Sequence, residues 1–342
     1  MRAHVRTSGV GAAITPPAAP TIDPRRLRAE PMRDSILPAN GRATRRTFLL
    51  GAMVTGLAVA CSDDDDGGGD ADGSSASGTE SGAPAATTVE PGAVGLYTIV
   101  KRFPQRVQVP GEVRLPISLS TGEAEFVQDG PETLGAQVAD LDGNPVGERV
   151  LAVRRDVEPA DYYAFRPIVE EPGIYTLFVD GGPPTGASFE VADPASVEVP
   201  IPGQFLAGFE TPTIGDPAGV DPICTRTPEI CPFHTISLAG ALNVARPVAY
   251  YVGTPAFCST GSCGPALDSL IEVQDAYADS ITFVHAEVYT DDTATAVAPA
   301  VEALDMFYEP ALFVTDADGV IVERLDGLWD TTELTEVLDQ VV

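Results

Sequence analysis

At 342 residues the chain is long enough for two domains with separate cores. Its formal net charge is −30, and residues 1–60 hold nine arginines and only three acids, which leaves 11 basic and 47 acidic residues beyond them. So acidic a surface repels nucleic acid and anionic lipid headgroups; it reads as solubility or salt adaptation and excludes nucleic acid as a partner.

Residues 1–31 are Pro-, Ala- and Arg-rich without periodicity, the composition of a disordered segment. Met32 would begin a leader of ordinary length, which makes residues 1–31 the expected product of a misassigned start codon. Within residues 32–61, Thr44-Arg45-Arg46-Thr47-Phe48-Leu49 resembles a twin-arginine export motif, with Arg45 and Arg46 as the paired arginines. A mostly apolar run from Phe48 to Ala60 follows, too short for a spanning helix, which needs about 20 residues, and suited to a signal peptide. Leu57-Ala58-Val59-Ala60-Cys61 resembles a bacterial lipobox, with Ala58 where that family usually has Leu. The resemblance implies lipidation of Cys61 and anchoring of the exported protein to the outer face of the cytoplasmic membrane. Residues 62–91 are rich in Asp, Gly, Ser, Thr, Ala and Pro and read as a disordered linker.

Residues 92–196 read as an all-β domain. Strand-like runs at 107–109, 113–117, 136–138, 150–153, 163–165, 174–179 and 187–191 alternate with turn signals such as Asp142-Gly143-Asn144-Pro145 and Glu171-Pro172-Gly173. This spacing predicts an antiparallel sandwich. Glu171-Pro172-Gly173-Ile174-Tyr175-Thr176-Leu177 resembles a late strand of immunoglobulin-like bacterial domains. The region has neither Cys nor His, so its expected role is as a spacer or docking module.

Residues 197–234 form a Pro- and Gly-rich connection that ends in a loop flanked by Cys224 and Cys231, with His234 three residues further on. From residue 235 the pattern is alternating α/β. A short helix falls within 235–244, a strand at 248–252, a helix at 265–278 and a strand at 281–288. A helix at about 298–306 and a strand at 311–315 follow; Asp316-Ala317-Asp318-Gly319 then turns into a strand at 320–325, and a helix at 332–341 closes the chain.

Export leaves four cysteines besides Cys61, in the close pairs Cys224/Cys231 and Cys258/Cys263. An oxidising compartment favours disulfides, and local pairing is the simplest of three connectivities. Both loops are short and gain little from closure, which favours chemistry or site shaping over stapling. Cys258 and Cys263 sit where the strand at 248–252 meets a helix start, with Gly264 and Pro265 suited to the turn and the first helical position. A helix N-terminus offers unpaired N–H donors that favour a thiolate, so Cys263 is the expected nucleophile and Cys258 its resolving partner.

The order β-α-β-α-β-β-α over residues 235–342 resembles the thioredoxin fold. Cys263-Gly264-Pro265 matches the first three residues of that family's Cys-Gly-Pro-Cys motif, and Glu309-Pro310 lies before a strand where the family has its cis-proline. The resemblance implies a substrate-binding edge at Pro310. It departs at Ala266, where the resolving Cys would fall, so the dithiol here is Cys-x4-Cys. Two alignments stay open: Phe257-Cys258 matches the family's Trp-Cys, or Cys263 is its first Cys.

Three functions are compatible with these residues. The first is an extracytoplasmic thiol–disulfide oxidoreductase that needs no cofactor and acts on exported proteins with thiols or disulfides. The second is a redox-inert binding or scaffold module. The third handles copper, with Cys258, Cys263 and His285 as soft ligands; alternation places His285 on one strand face with Phe283 and Glu287. No Ser-His-Asp set, phosphate loop or zinc-type cysteine quartet is evident.

Overall fold

A computed structural model describes residues 89–342 except 123 and 124. The expectations for residues 1–88, including Arg45, Arg46, Cys61 and most of the linker, lie outside the described residues. Among the described residues no helix is long and apolar enough to cross a membrane.

The first half is all-β. Its strands are β1 (Thr98–Lys101), β2 (Gly111–Glu112), β3 (Leu115–Ser120), β4 (Thr133–Ala139), β5 (Pro145–Arg155), β6 (Tyr162–Phe165), β7 (Ile168–Val169), β8 (Gly173–Val179) and β9 (Ala187–Val191). Seven of them form one antiparallel sheet in the order β1-β3-β6-β5-β4-β8-β9, and β2 pairs with β7. The sheet is continuous because β5 is long. Most of it pairs with β4, while Arg154 and Arg155 at its end pair with β6. Alternation fills the core: Tyr175, Leu177 and Val179 of β8 are buried while Ile174 and Phe178 face out. The run at 107–109 forms no regular strand; Gln108 makes a single bridge to Val191. β1 lies outside the sequence-predicted runs.

The second half is α/β. Its elements are α1 (Leu238–Leu242), β10 (Val248–Val252), α2 (Cys263–Tyr277), β11 (Thr282–Ala286), α3 (Pro299–Ala303), β12 (Ala311–Thr315), β13 (Ile321–Asp326) and α4 (Thr331–Leu338). The sheet order is β11-β10-β12-β13. β10 runs parallel to β11 and antiparallel to β12, and β12 runs antiparallel to β13. Helices cover both faces, so β10 and β12 are buried throughout and read as continuous apolar runs. Val248, Tyr250, Val252 and Phe313 pack on one face with α1 and α3 residues. Ala249, Tyr251, Leu312 and Val314 pack on the other against α2 and α4. From β10 onward the elements follow the expected order β-α-β-α-β-β-α. The β12–β13 hairpin closes as its turn residues dictate: Asp316 Oδ1 accepts from the N–H groups of Asp318 and Val320, and Gly319 takes φ +82°.

The connection at 197–234 is built into this domain. Gly203 and Leu206 donate N–H bonds to Ile321 and Gly319, and Ile321 donates to Gln204, so the segment covers the β13 edge. At the opposite edge the N–H of His285 donates to the carbonyl of Phe233. Each edge strand thereby exchanges backbone hydrogen bonds with the connection.

Arginines of the β half clamp acids of the α/β half. Arg114 Nε and Nη2 each reach a carboxylate oxygen of Glu333 at 2.7 Å, and Nη1 donates to the carbonyl of Asp326 at 2.8 Å. The Tyr162 hydroxyl donates to the same carboxylate at 2.7 Å. Arg166 pairs with Glu323 and Glu333, and Arg155 with Asp330 and Glu336. Gly327, at φ +80°, lets the Arg102 carbonyl approach so closely that a Cβ there would overlap it.

Candidate functional site

Cys258 and Cys263 are joined by a disulfide in the loop between β10 and α2. Cys263 opens α2 and is fully buried, whereas Cys258 is partly exposed. The loop is held from below: the Tyr251 hydroxyl donates to the Cys263 carbonyl at 2.7 Å, and Trp329 Nε1 donates to the Ala266 carbonyl at 3.2 Å. No side-chain oxygen caps α2 at Ser262. Instead the N–H of Cys263 points at Cys258 Sγ, 3.3 Å away, and the Thr260 hydroxyl lies 3.2 Å from the same sulfur. The helix N-terminus therefore favours negative charge on Cys258 rather than on its own first residue. Of the two sulfurs Cys258 is the more exposed, and Cys263 is enclosed by the helix packing.

Glu309 precedes Pro310 in a cis peptide bond, and Pro310 is buried at the start of β12. The Glu309 carboxylate lies within 4.8 Å of both disulfide sulfurs, and burial raises its pKa above the ordinary carboxylate range. Sequence reasoning named Glu309 only for its backbone. The signal lay in its place directly before the proline. Beside it lies a cleft of about 170 Å³. Arg102, Phe103 and Pro104 of the β half form one wall, and Thr260, Tyr308 and Glu309 the other. Small-molecule sites span roughly 300–1,000 Å³, so this space suits one side chain or a short stretch of a protein partner.

The second cysteine pair differs from its expected disulfide. Cys224 and Cys231 are free thiols, 3% and 1% exposed. Their loop folds onto the face of β11 carrying Phe283, His285 and Glu287: Phe233 stacks on Phe283, and Glu287 accepts from the Thr225 N–H at 2.6 Å and its hydroxyl at 2.9 Å. Cys231 Sγ and His234 Nε2 thereby come to 3.3 and 3.1 Å from His285 Nδ1. The donor atoms of Cys224, Cys231, His234 and His285 all lie within 4.8 Å of one another. The hydrogen bond from Cys231 holds the Cys224 thiol far below the ordinary thiol range against the opposing effect of burial, with both imidazoles adding to the shift. The copper set expected from Cys258, Cys263 and His285 is not assembled; His285 belongs to the other pair. Sequence reasoning missed this constellation because Cys-x6-Cys-x2-His needs a fourth ligand from β11.

No protein-family model matches the chain, and no curated protein is significantly similar to it. Among solved structures, one similar chain is a thiol:disulfide interchange protein of the thioredoxin family from Chlorobium tepidum TLS. It is 14% identical with a TM-score of 0.29, and the match covers 42% of this chain and 97% of that one.

Proposed function

We propose that this protein is an exported thiol–disulfide oxidoreductase, held at the outer face of the cytoplasmic membrane through lipidated Cys61. The observation that carries the reading is a disulfide with one sulfur accessible, a helix N–H aimed at that sulfur and a carboxylate beside both. A thiolate of the protein substrate attacks Cys258 Sγ, the Cys258–Cys263 bond breaks, and Cys263 leaves as a thiolate. A second substrate thiolate attacks the substrate sulfur of the mixed disulfide and releases Cys258. The substrate leaves oxidised by two electrons, and the Cys258–Cys263 pair is reduced by two. The same steps run in reverse when a reduced pair meets a substrate disulfide. Glu309 takes up or returns the thiol proton, a role for which a raised pKa suits a carboxylate near neutral pH. Pro310 and the cleft beside it form the edge on which an extended substrate segment rests. The β domain supplies the second wall and serves as a docking module.

The test is the reduction potential of the Cys258–Cys263 pair in the full chain, read by thiol trapping and mass spectrometry. Poise between about −120 and −270 mV, the span of dithiol catalysts, is expected. A pair that stays oxidised below about −300 mV is a structural bridge, and the inert binding reading then replaces this one. A second readout assigns the roles: Cys263→Ser is expected to accumulate mixed disulfides through Cys258, whereas Cys258→Ser accumulates none. The opposite pattern would return the nucleophile to Cys263.

A further inference from the structure

We propose that Cys224, Cys231, His234 and His285 form a closed tetrahedral zinc(II) site. The four ligands come from two places that the fold joins: Cys224, Cys231 and His234 from the connection before α1, and His285 from β11. All four are 3% exposed or less.

Two imidazoles and two sulfurs converge in this cluster. His285 Nε2 lies 3.0 Å from the Gly253 carbonyl, which only accepts, so Nε2 carries the proton and Nδ1 presents its single lone pair to the cluster. Cys231 Sγ and His234 Nε2 both converge on that lone pair. A cation placed among the four donors is faced by His285 Nδ1, His234 Nε2 and both sulfurs. With Zn–N of about 2.05 Å and Zn–S of about 2.3 Å, tetrahedral edges are about 3.3 Å between nitrogens and about 3.6 Å between nitrogen and sulfur. The observed 3.1 and 3.3 Å separations are close to those edges.

The surroundings are those of a metal centre. The His285 bond to a backbone carbonyl fixes its tautomer and aims Nδ1 inward. The N–H of Cys231 donates to Cys224 Sγ at 3.4 Å. Glu287 clamps Thr225, next to Cys224, and Arg226 pairs with Asp268 on α2. Two thiolates with two imidazoles in tetrahedral array suit zinc, and with all four positions filled by protein the site is structural. Binding releases the thiol protons to solvent and involves no electron transfer. The centre supports the redox loop from behind: His285 holds Gly253, the Thr225 hydroxyl accepts from the Ala256 N–H at 3.1 Å, and the Tyr251 ring lies 5.1 Å from His285.

The test uses the reduced full chain and zinc alone, with metal content by mass spectrometry and competition against a chromophoric chelator. One zinc per chain is expected, retained in Cys258→Ser and Cys263→Ser and lost in Cys224→Ser and His285→Gln. Since these last variants could fail to fold, cobalt(II) in the unaltered chain provides a second readout. A tetrahedral spectrum with thiolate charge transfer is expected, and in Cys224→His a retained metal with weakened charge transfer. Substoichiometric zinc, an octahedral cobalt spectrum, loss of metal in Cys258→Ser or preferential retention of copper(I) over zinc would each overturn the assignment. So would a Cys224–Cys231 disulfide in chain isolated under non-reducing conditions with zinc present.

Discussion

Glu333→Gln is the sharpest test of how the two halves are held together. Glu333 is 1% exposed, and its carboxylate is reached by Arg114, Arg166 and Tyr162. Burial alone would raise its pKa; attraction to Arg114 and the hydrogen bonds from Arg114 and Tyr162 overcome this and hold it at about 2, against an ordinary 4.5. At 1.36 kcal/mol per pH unit, that depression contributes about 3 kcal/mol of stability at pH 7. Removing one member of a buried ion pair costs about 3–5 kcal/mol, because the remaining charge stays buried, so both routes converge. The sign is set by the depressed carboxyl: the contribution is full above pH 4.5 and is lost as pH falls from 4.5 through about 2. Urea denaturation of both proteins at pH 7, and of each across that acid window, is the assay. Glu333→Gln is expected to lose about 3 kcal/mol at pH 7, with the gap closing as the unaltered protein is acidified. Replacing both partners, as Arg114→Met with Glu333→Leu, is expected to recover only part of the loss, because Arg166 and Tyr162 still lose their acceptor. A single-variant loss under about 1 kcal/mol, or a gap that persists below pH 2, would refute the reasoning.

Two further outcomes follow from the redox loop and its cleft. Gly327→Ala places a Cβ on the Arg102 carbonyl and forces a non-glycine residue to φ +80°. It is expected to destabilise the protein by about 1–3 kcal/mol in denaturant titration and to alter the rate at which a protein substrate exchanges with Cys258. Glu309→Gln is expected to flatten the pH dependence of that exchange, because the carboxylate with a raised pKa no longer moves the thiol proton; stopped-flow exchange rates across pH measure it, and an unchanged profile would remove Glu309 from the mechanism.

The residues themselves determined whatever depends on near neighbours. Asp316 and Gly319 specify the hairpin, and the buried runs 248–252 and 311–315 specify central strands. The loop before Gly264-Pro265 puts a dithiol at a helix start. Period-2 alternation even placed Phe283, His285 and Glu287 on one strand face. Tertiary structure decided what packs against those faces. Cys258 is reachable and Cys263 enclosed because the first residue of α2 turns under the helix, which no spacing encodes. Cys224, Cys231 and His234 meet His285, more than fifty residues away, only because their loop lies along the edge of β11. Arg114 finds Glu333 across 219 residues of chain. Local conformation follows from propensity and turn chemistry over a few residues, whereas burial, accessibility and ligand convergence depend on which surfaces the collapsed chain presses together.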